Sequence, residues 1–153
     1  MISTKDTLPT FCYTPRMKTV HVAAAVIFRT APSGIMQVFA TERGYGDWQG
    51  WWEFPGGKIE AGESAEAALV REIREELATD IAVGDCIGTV EYDYPAFRLS
   101  MQCFSCTVKN GHLELLEHKA AAWLTKDTLR SVRWLSADEL LLDKIALLLG
   151  KNS

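Results

Sequence analysis

The sequence predicts an α/β fold in which helices pack on a mixed sheet, and three observations carry that expectation. Short apolar runs rich in Val and Ala come first, as strands would. One uninterrupted amphipathic helix follows, then further strand-like runs, then a Leu-rich terminal helix. Strands, helix, strands and helix in that order suit a layered sheet covered by helices, although pattern alone leaves strand order open.

The elements can be taken in turn. Residues Met1 to Met17 contain Pro9 and Pro15 and no periodicity, so 1–17 reads as an extension and 18–150 as one domain. Val20 to Phe28 and Ile35 to Thr41 are nearly continuous apolar runs joined by Ala31-Pro32-Ser33-Gly34, a hairpin of central strands. A polar loop, Gly44 to Gly50, precedes Trp51-Trp52-Glu53-Phe54 and Pro55-Gly56-Gly57. Ser64 caps a helix running to Leu77, with Glu66 in its first turn. Ile81 to Tyr94 is strand-like, with Gly84 and Gly88 as interruptions, and Pro95-Ala96 turns into Phe97 to Lys109. Asn110-Gly111 signals a two-residue hairpin leading to a strand at His112 to Leu116. Ala120 to Leu124 is another apolar segment. Ser136 and Glu139 form a capping box for a helix through Leu149 that Gly150 stops.

Composition narrows the function. Nearly half of the 153 residues are hydrophobic and a quarter are charged, which suits a globular chain. A net charge of −4 disfavours long nucleic acid, whose capture needs a basic face. No apolar run reaches the roughly 18–20 residues of a membrane span, and Met1 to Arg16 lacks an apolar leader core, so a cytoplasmic location is expected. The four cysteines, Cys12, Cys86, Cys103 and Cys106, read as reduced thiols. Cys103 and Cys106 lie three apart on a strand, so their sulfurs point to opposite faces and cannot share a zinc ion. His21, His112 and His118 are scattered without ligand spacing.

The chemistry concentrates between Gly57 and Leu77. On a helical wheel with Leu69 at zero, Ile73 falls near about 40° and Leu77 near about 80°, an apolar stripe. Glu72, Glu75 and Glu76 then fall at about −60°, −120° and −20°, within roughly 100° of arc. Glu76 lies inside the apolar stripe. Clustered carboxylates repel, and one aimed at a core needs a partner. Arg71 and Arg74 neutralise part of that charge as a surface network, whereas a hard divalent cation such as Mg²⁺ can serve all three acids. Gly56-Gly57 allows close backbone approach to a ligand, and Lys58 with the helix N-terminus adds positive potential.

Read together, Gly57-x5-Glu63-x7-Arg71-Glu72-Ile73-x-Glu75-Glu76 resembles the Nudix box at every specified position through Glu76. The run Trp52-Glu53-Phe54-Pro55-Gly56-Gly57-Lys58 and the segment Trp134-Leu135-Ser136-Ala137-Asp138 are similar to the MutT-like and CTP-pyrophosphohydrolase-like branch. The similarity runs from about Lys18 to Leu149. Ala78-Thr79 stand where the box has Gly and an aliphatic residue, and since Ala resists the left-handed conformation the helix exit is expected to differ. Ser136 stands for a proline and Glu139 for an arginine of the C-terminal run.

The resemblance implies a Nudix α/β/α sandwich with a mixed central sheet, and hydrolysis of a nucleoside triphosphate to monophosphate and pyrophosphate. It implies Mg²⁺, or Mn²⁺ as a substitute, held by Glu72, Glu75 and Glu76 with the Gly57 carbonyl and Glu117 as further ligands. Glu63, Glu76 and Glu117 are the candidates for the base that activates water, and Arg71 orients a box glutamate. Asp138 matches a position that meets the nucleobase. Arg43, Lys58, Tyr94 and Phe97 are further substrate candidates. Trp48, Trp51 and Trp52 form an aromatic cluster with at least one packed in the core. Both 8-oxo-dGTP and CTP or dCTP fit as substrates. A binding-only Nudix domain, the rival from another class, would be expected to have lost some of Glu63, Glu72, Glu75 and Glu76. The sequence does not decide between monomer and homodimer.

Overall fold

The computed structural model describes residues 18–116 and 118–150. The N-terminal extension, with Cys12, and Glu117 lie outside the described residues. Seven strands form one mixed sheet: β1 (Thr19–Thr30), β2 (Met36–Arg43), β3 (Trp52–Glu53), β4 (Gly56–Lys58), β5 (Asp80–Tyr94), β6 (Phe97–Asn110) and β7 (His118–Leu124). The helices are α1 (Ala65–Leu77), α2 (Ser136–Glu139) and α3 (Leu142–Gly150).

Strand β1 organises the sheet. Along one edge, Thr19 to Ile27 pair in parallel with Arg98 to Cys106 of β6, and β5 continues antiparallel beyond β6. Along its other edge β1 pairs with two strands in succession. Val22 to Ala24 meet Gly56 to Lys58 of β4, and Phe28 to Thr30 meet Met36 to Val38 of β2. Between them the Ala25 N–H donates to the Pro55 carbonyl at 2.7 Å. The sheet therefore forks where β4 and β2 part. On its far side β2 pairs with both β3 and β7.

The period of two along β1 fills two cores. Ala24, Val26 and Phe28 point to the face covered by Leu141, Leu142, Ile145 and Leu149. Ala23, Ala25 and Ile27 point to the opposite face, covered by Leu69, Ile73 and Leu77 of α1. Each fully buried Val, Ile or Leu among these contributes about 1.5–3 kcal/mol of apolar burial. Cys103 lies in the first core and Cys106 in the second, so the pair straddles the sheet. Both thiols are free, as is Cys86, and burial pushes Cys103 and Cys106 up to about 12.

Most expected elements form, with Ser64 Oγ accepting the Ala67 N–H at 3.1 Å as the α1 cap. The 31–34 turn closes by Gly34 N–H donating to Ala31 O. Three expectations are corrected. Ala78 does take the left-handed conformation, at φ 50° and ψ 38°, and its N–H donates to Arg74 O. Asn110-Gly111 does not turn a hairpin, and 112–116 is not a strand. That segment crosses the end of α1 instead, where the Glu114 and Leu116 N–H groups satisfy the carbonyls of Leu77 and Glu76. Helix ends need such partners, and that need outweighs the local turn signal. Finally, the C-terminal helix is two helices. Leu135 rather than Ser136 occupies the cap position without a side-chain bond, so the capping box is absent and Gly150 lies inside α3.

Candidate active site

The site lies at the fork of the sheet. A cavity of about 400 Å³ runs from the α1 side to the α2 side. At one end stand Gly57, Lys58 and Glu76; at the other stand Asp138, Leu135 and Phe54, with Tyr94 and Phe97 on the wall. Arg43 and Glu53 also line it.

The Trp52-to-Lys58 run explains how both ends are held. Trp52 N–H donates to Arg133 O at 2.7 Å and its carbonyl accepts the Leu135 N–H at 2.9 Å, tying β3 to the entry of α2. The Phe54 ring packs on Trp134 with centroids 4.6 Å apart, and Phe54 N–H donates to Asp138 Oδ1 at 3.0 Å. Glu53, between them, lines the cavity beside Arg43. Next, β4 crosses so close to β1 that a Cβ on Gly56 would collide with the Ala23 carbonyl oxygen. A Cβ on Gly57 would occupy the space taken by the Glu72 carboxylate. The two glycines therefore do different work: one admits a backbone, the other a carboxylate.

On α1, Arg71 is the hub. Its Nε and Nη2 donate to the two oxygens of Glu63 at 2.8 and 2.9 Å, and Nη2 also donates to the Lys58 carbonyl at 3.0 Å. Nη1 lies 3.5 Å from carboxylate oxygens of both Glu72 and Glu75. The guanidinium holds Glu63 down to about 2, with help from the Glu60 backbone. Glu60 N–H in turn donates to Glu63. Glu75 is the solvent-facing member, its side chain 59% exposed against 17% for Glu72. Glu76 faces inward, with Oε1 buried. Among the described residues, no three carboxylate, imidazole or thiol groups converge closely enough to hold an ion as they stand. The donor chemistry nevertheless fits a hard divalent cation: the Glu72 carboxylate fills the space left by the missing Gly57 side chain, and Glu76 lines the cavity with Gly57.

At the other end, Asp138 is enclosed. Burial raises its carboxyl well above the usual range, and neighbouring Glu53 raises it further. Burial also raises Glu53, against the lowering effect of Arg43, which lies at 3.2 Å. Tyr94 OH accepts the Ala137 N–H at 3.1 Å, so the aromatic wall is bonded to the residue before Asp138. Tyr94 packs on Phe97 at 5.4 Å and on Trp48 at 5.6 Å.

The cavity thus brings together Gly57, Lys58, Glu76, Arg43, Tyr94, Phe97 and Asp138. Glu63, Arg71, Glu72 and Glu75 do not line it, and Glu72 abuts its lining residue Gly57. Sequence reasoning assigned no role to Glu53 or Asp47 and placed Trp48 only in an aromatic cluster, yet all three line the cavity. For Glu53 the pairing that marks it, with Arg43 on the neighbouring strand, appears only once β2 and β3 are paired.

Comparison with known proteins follows the same lines. A family model described as the NUDIX domain matches residues 19–151. The chain is 32% identical over 111 residues to the CTP pyrophosphohydrolase of Escherichia coli K12, covering 72% of this chain and 79% of that one. It is 37% identical over 105 residues to the 8-oxo-dGTP diphosphatase of Proteus vulgaris, covering 68% and 88%. The solution structure of the E. coli ORF135 protein superposes with a TM-score of 0.72 at 31% identity, over 88% of this chain and 93% of that one.

Proposed function

The chain belongs to the Nudix family, and from that premise we propose that this hydrolase acts, with Mg²⁺, on nucleoside triphosphates and releases the monophosphate and pyrophosphate. The observation that carries the reading is the single cavity joining the carboxylate helix at Glu76 and Gly57 to the buried carboxyl of Asp138. A nucleotide has the same polarity, with an anionic chain at one end and a hydrogen-bonding ring at the other. The names of the E. coli and P. vulgaris relatives support the same reaction class. An oxidised guanine nucleotide, as in 8-oxo-dGTP, is the favoured substrate. The likeness to the E. coli CTP pyrophosphohydrolase supports CTP as the second.

Glu72, Glu75 and Glu76, with the Gly57 carbonyl and Glu117, would hold the ion. When bound, it supplies charge neutralisation on the phosphates and acidifies water. The remaining work falls to the chain. Arg71 positions Glu63 and braces the flank of Glu72 and Glu75. With both oxygens engaged and its acidity increased, Glu63 is a poor proton acceptor and acts through Arg71. Glu76 and Glu117 remain as candidates to take the proton from the attacking water. Lys58 and Arg43 lie where an anionic chain would pass, and Asp138 with Glu53 meets the amino and ring N–H edge of the base. We assign catalysis to 18–150 and treat 1–17 as an extension. A free nucleotide as the small-molecule partner fits a cytoplasmic setting.

The test is a panel of normal and oxidised nucleoside triphosphates with and without Mg²⁺, scored for pyrophosphate against orthophosphate. Metal-dependent pyrophosphate release is expected, with Glu76→Gln reducing kcat by roughly 10²–10⁴-fold at unchanged melting temperature. Activity confined to ADP-ribose, or near-normal turnover by Glu76→Gln, would overturn the assignment.

A further inference from the structure

Trp48 sits on the loop between β2 and β3 with φ at +68°, a conformation that bulky L-residues rarely adopt. The loop does not leave it there by default. Arg43 N–H donates to Trp51 O, Gly50 N–H to Arg43 O and Trp51 N–H to Trp48 O, all between 2.9 and 3.0 Å. Arg43 Nε also donates to Asp47 O. The backbone is thus over-determined, and the turn presents an indole that is still 38% exposed. Its neighbour Trp51 is differently placed, with the Arg133 guanidinium 3.9 Å above its ring. Trp48 pairs with the Trp51 ring in a T-shaped arrangement and with the tilted ring of Tyr94, each at 5.6 Å.

The indole lines two spaces. One is the 400 Å³ cavity that reaches Asp138. The other is an outer depression of about 390 Å³ against Pro95, Ala96 and Phe97. Trp48 therefore stands at the mouth, at the outer end of the Phe97–Tyr94 wall. A packing tryptophan would be covered and unstrained. A strained residue held by its surroundings at a cavity mouth is the pattern of a ligand contact.

We propose that Trp48 is a substrate-binding residue whose indole stacks on the nucleobase as it enters towards Asp138. This rests on the nucleotide reading above. Stacking needs only a π face, so Trp48 sets affinity while the carboxyls at the inner end set base identity.

Four proteins test it: wild type, Trp48→Phe, Trp48→Leu and Trp48→Gly. Each is assayed with Mg²⁺ on CTP and 8-oxo-dGTP, with inorganic tripolyphosphate as a base-free competitive inhibitor. The Leu and Gly variants should raise KM about tenfold or more, and Phe less than about threefold, with kcat moving less than KM. The tripolyphosphate inhibition constant should stay the same in all four. The Gly variant, free of the φ penalty, should melt no lower than the Leu variant. A KM unchanged in Leu, or KM and the tripolyphosphate constant rising together, would overturn the proposal and return Trp48 to packing. If the wild type itself hydrolyses neither nucleotide, the underlying reading fails and this one with it.

Discussion

Asp138 shows how one side chain can serve both fold and site. Its Oδ1 accepts the Phe54 N–H across 84 residues of sequence, and its residue surface is only 3% exposed. Ionising it there is costly, because burial and Glu53 both oppose the charge. A carboxyl raised in the folded state stabilises the fold fully below the unfolded value of 3.8, and that stability is lost as pH rises towards the folded value. Asparagine keeps the Oδ1 acceptor and cannot ionise. Asp138→Asn should therefore match the wild type in melting temperature near pH 3, below that unfolded value, and exceed it increasingly as pH rises. Thermal melts across a pH series check this, and a pH-independent difference would contradict it. Asp138 was singled out through its Trp134-to-Asp138 run, and it lines the cavity. Glu53 was not, since a charged residue alternating with Trp52 and Phe54 reads as solvent-facing. Its outward face is the cavity, and only the position of Arg43 across the sheet reveals that.

At the scale of elements, local chemistry was legible where it acted locally. The Ser64 cap, the stripe Leu69-Ile73-Leu77 and the inward turn of Glu76 follow from the helix period alone. Segment 112–116 was not readable that way, because its partners are the terminal carbonyls of a helix more than 30 residues earlier. The same junction carries a testable cost. Ala78 is exposed and left-handed at the α1 exit, where a Cβ is penalised and glycine is the usual solution. Ala78→Gly should stabilise the protein by about 0.5–1 kcal/mol after allowing for glycine's greater unfolded freedom. For a domain of this size that raises the melting temperature by roughly 2–4 °C or somewhat less. A lower melting temperature would show that the exit gains from Ala78 something the backbone argument omits.

The whole molecule depends on β1, which joins both halves of the sheet and both cores. Strand order was not legible in the sequence, because the parallel β1–β6 pairing is non-local and nothing in either strand names the other. The adjacent glycines of β4 separate what this architecture demands from what the chemistry demands. Gly56 touches β1 so closely that a side chain would strike the Ala23 carbonyl and the Ala24 backbone, which cannot yield without parting the fork. The nearest atoms that a side chain on Gly57 would strike all belong to the Glu72 side chain, which can turn away. Gly56→Ala should therefore lower the melting temperature steeply or abolish soluble expression, at a cost of about 1–3 kcal/mol or more by overpacking. Gly57→Ala should stay folded with a melting temperature near the wild type, yet lose Mg²⁺-dependent turnover because Glu72 is displaced from the cavity end of α1. Circular dichroism melts alongside a pyrophosphate-release assay distinguish the two. If Gly57→Ala unfolds while Gly56→Ala does not, the division of work between fold and site is the reverse of the one drawn from their surroundings. If both stay folded and active, neither close approach constrains the protein.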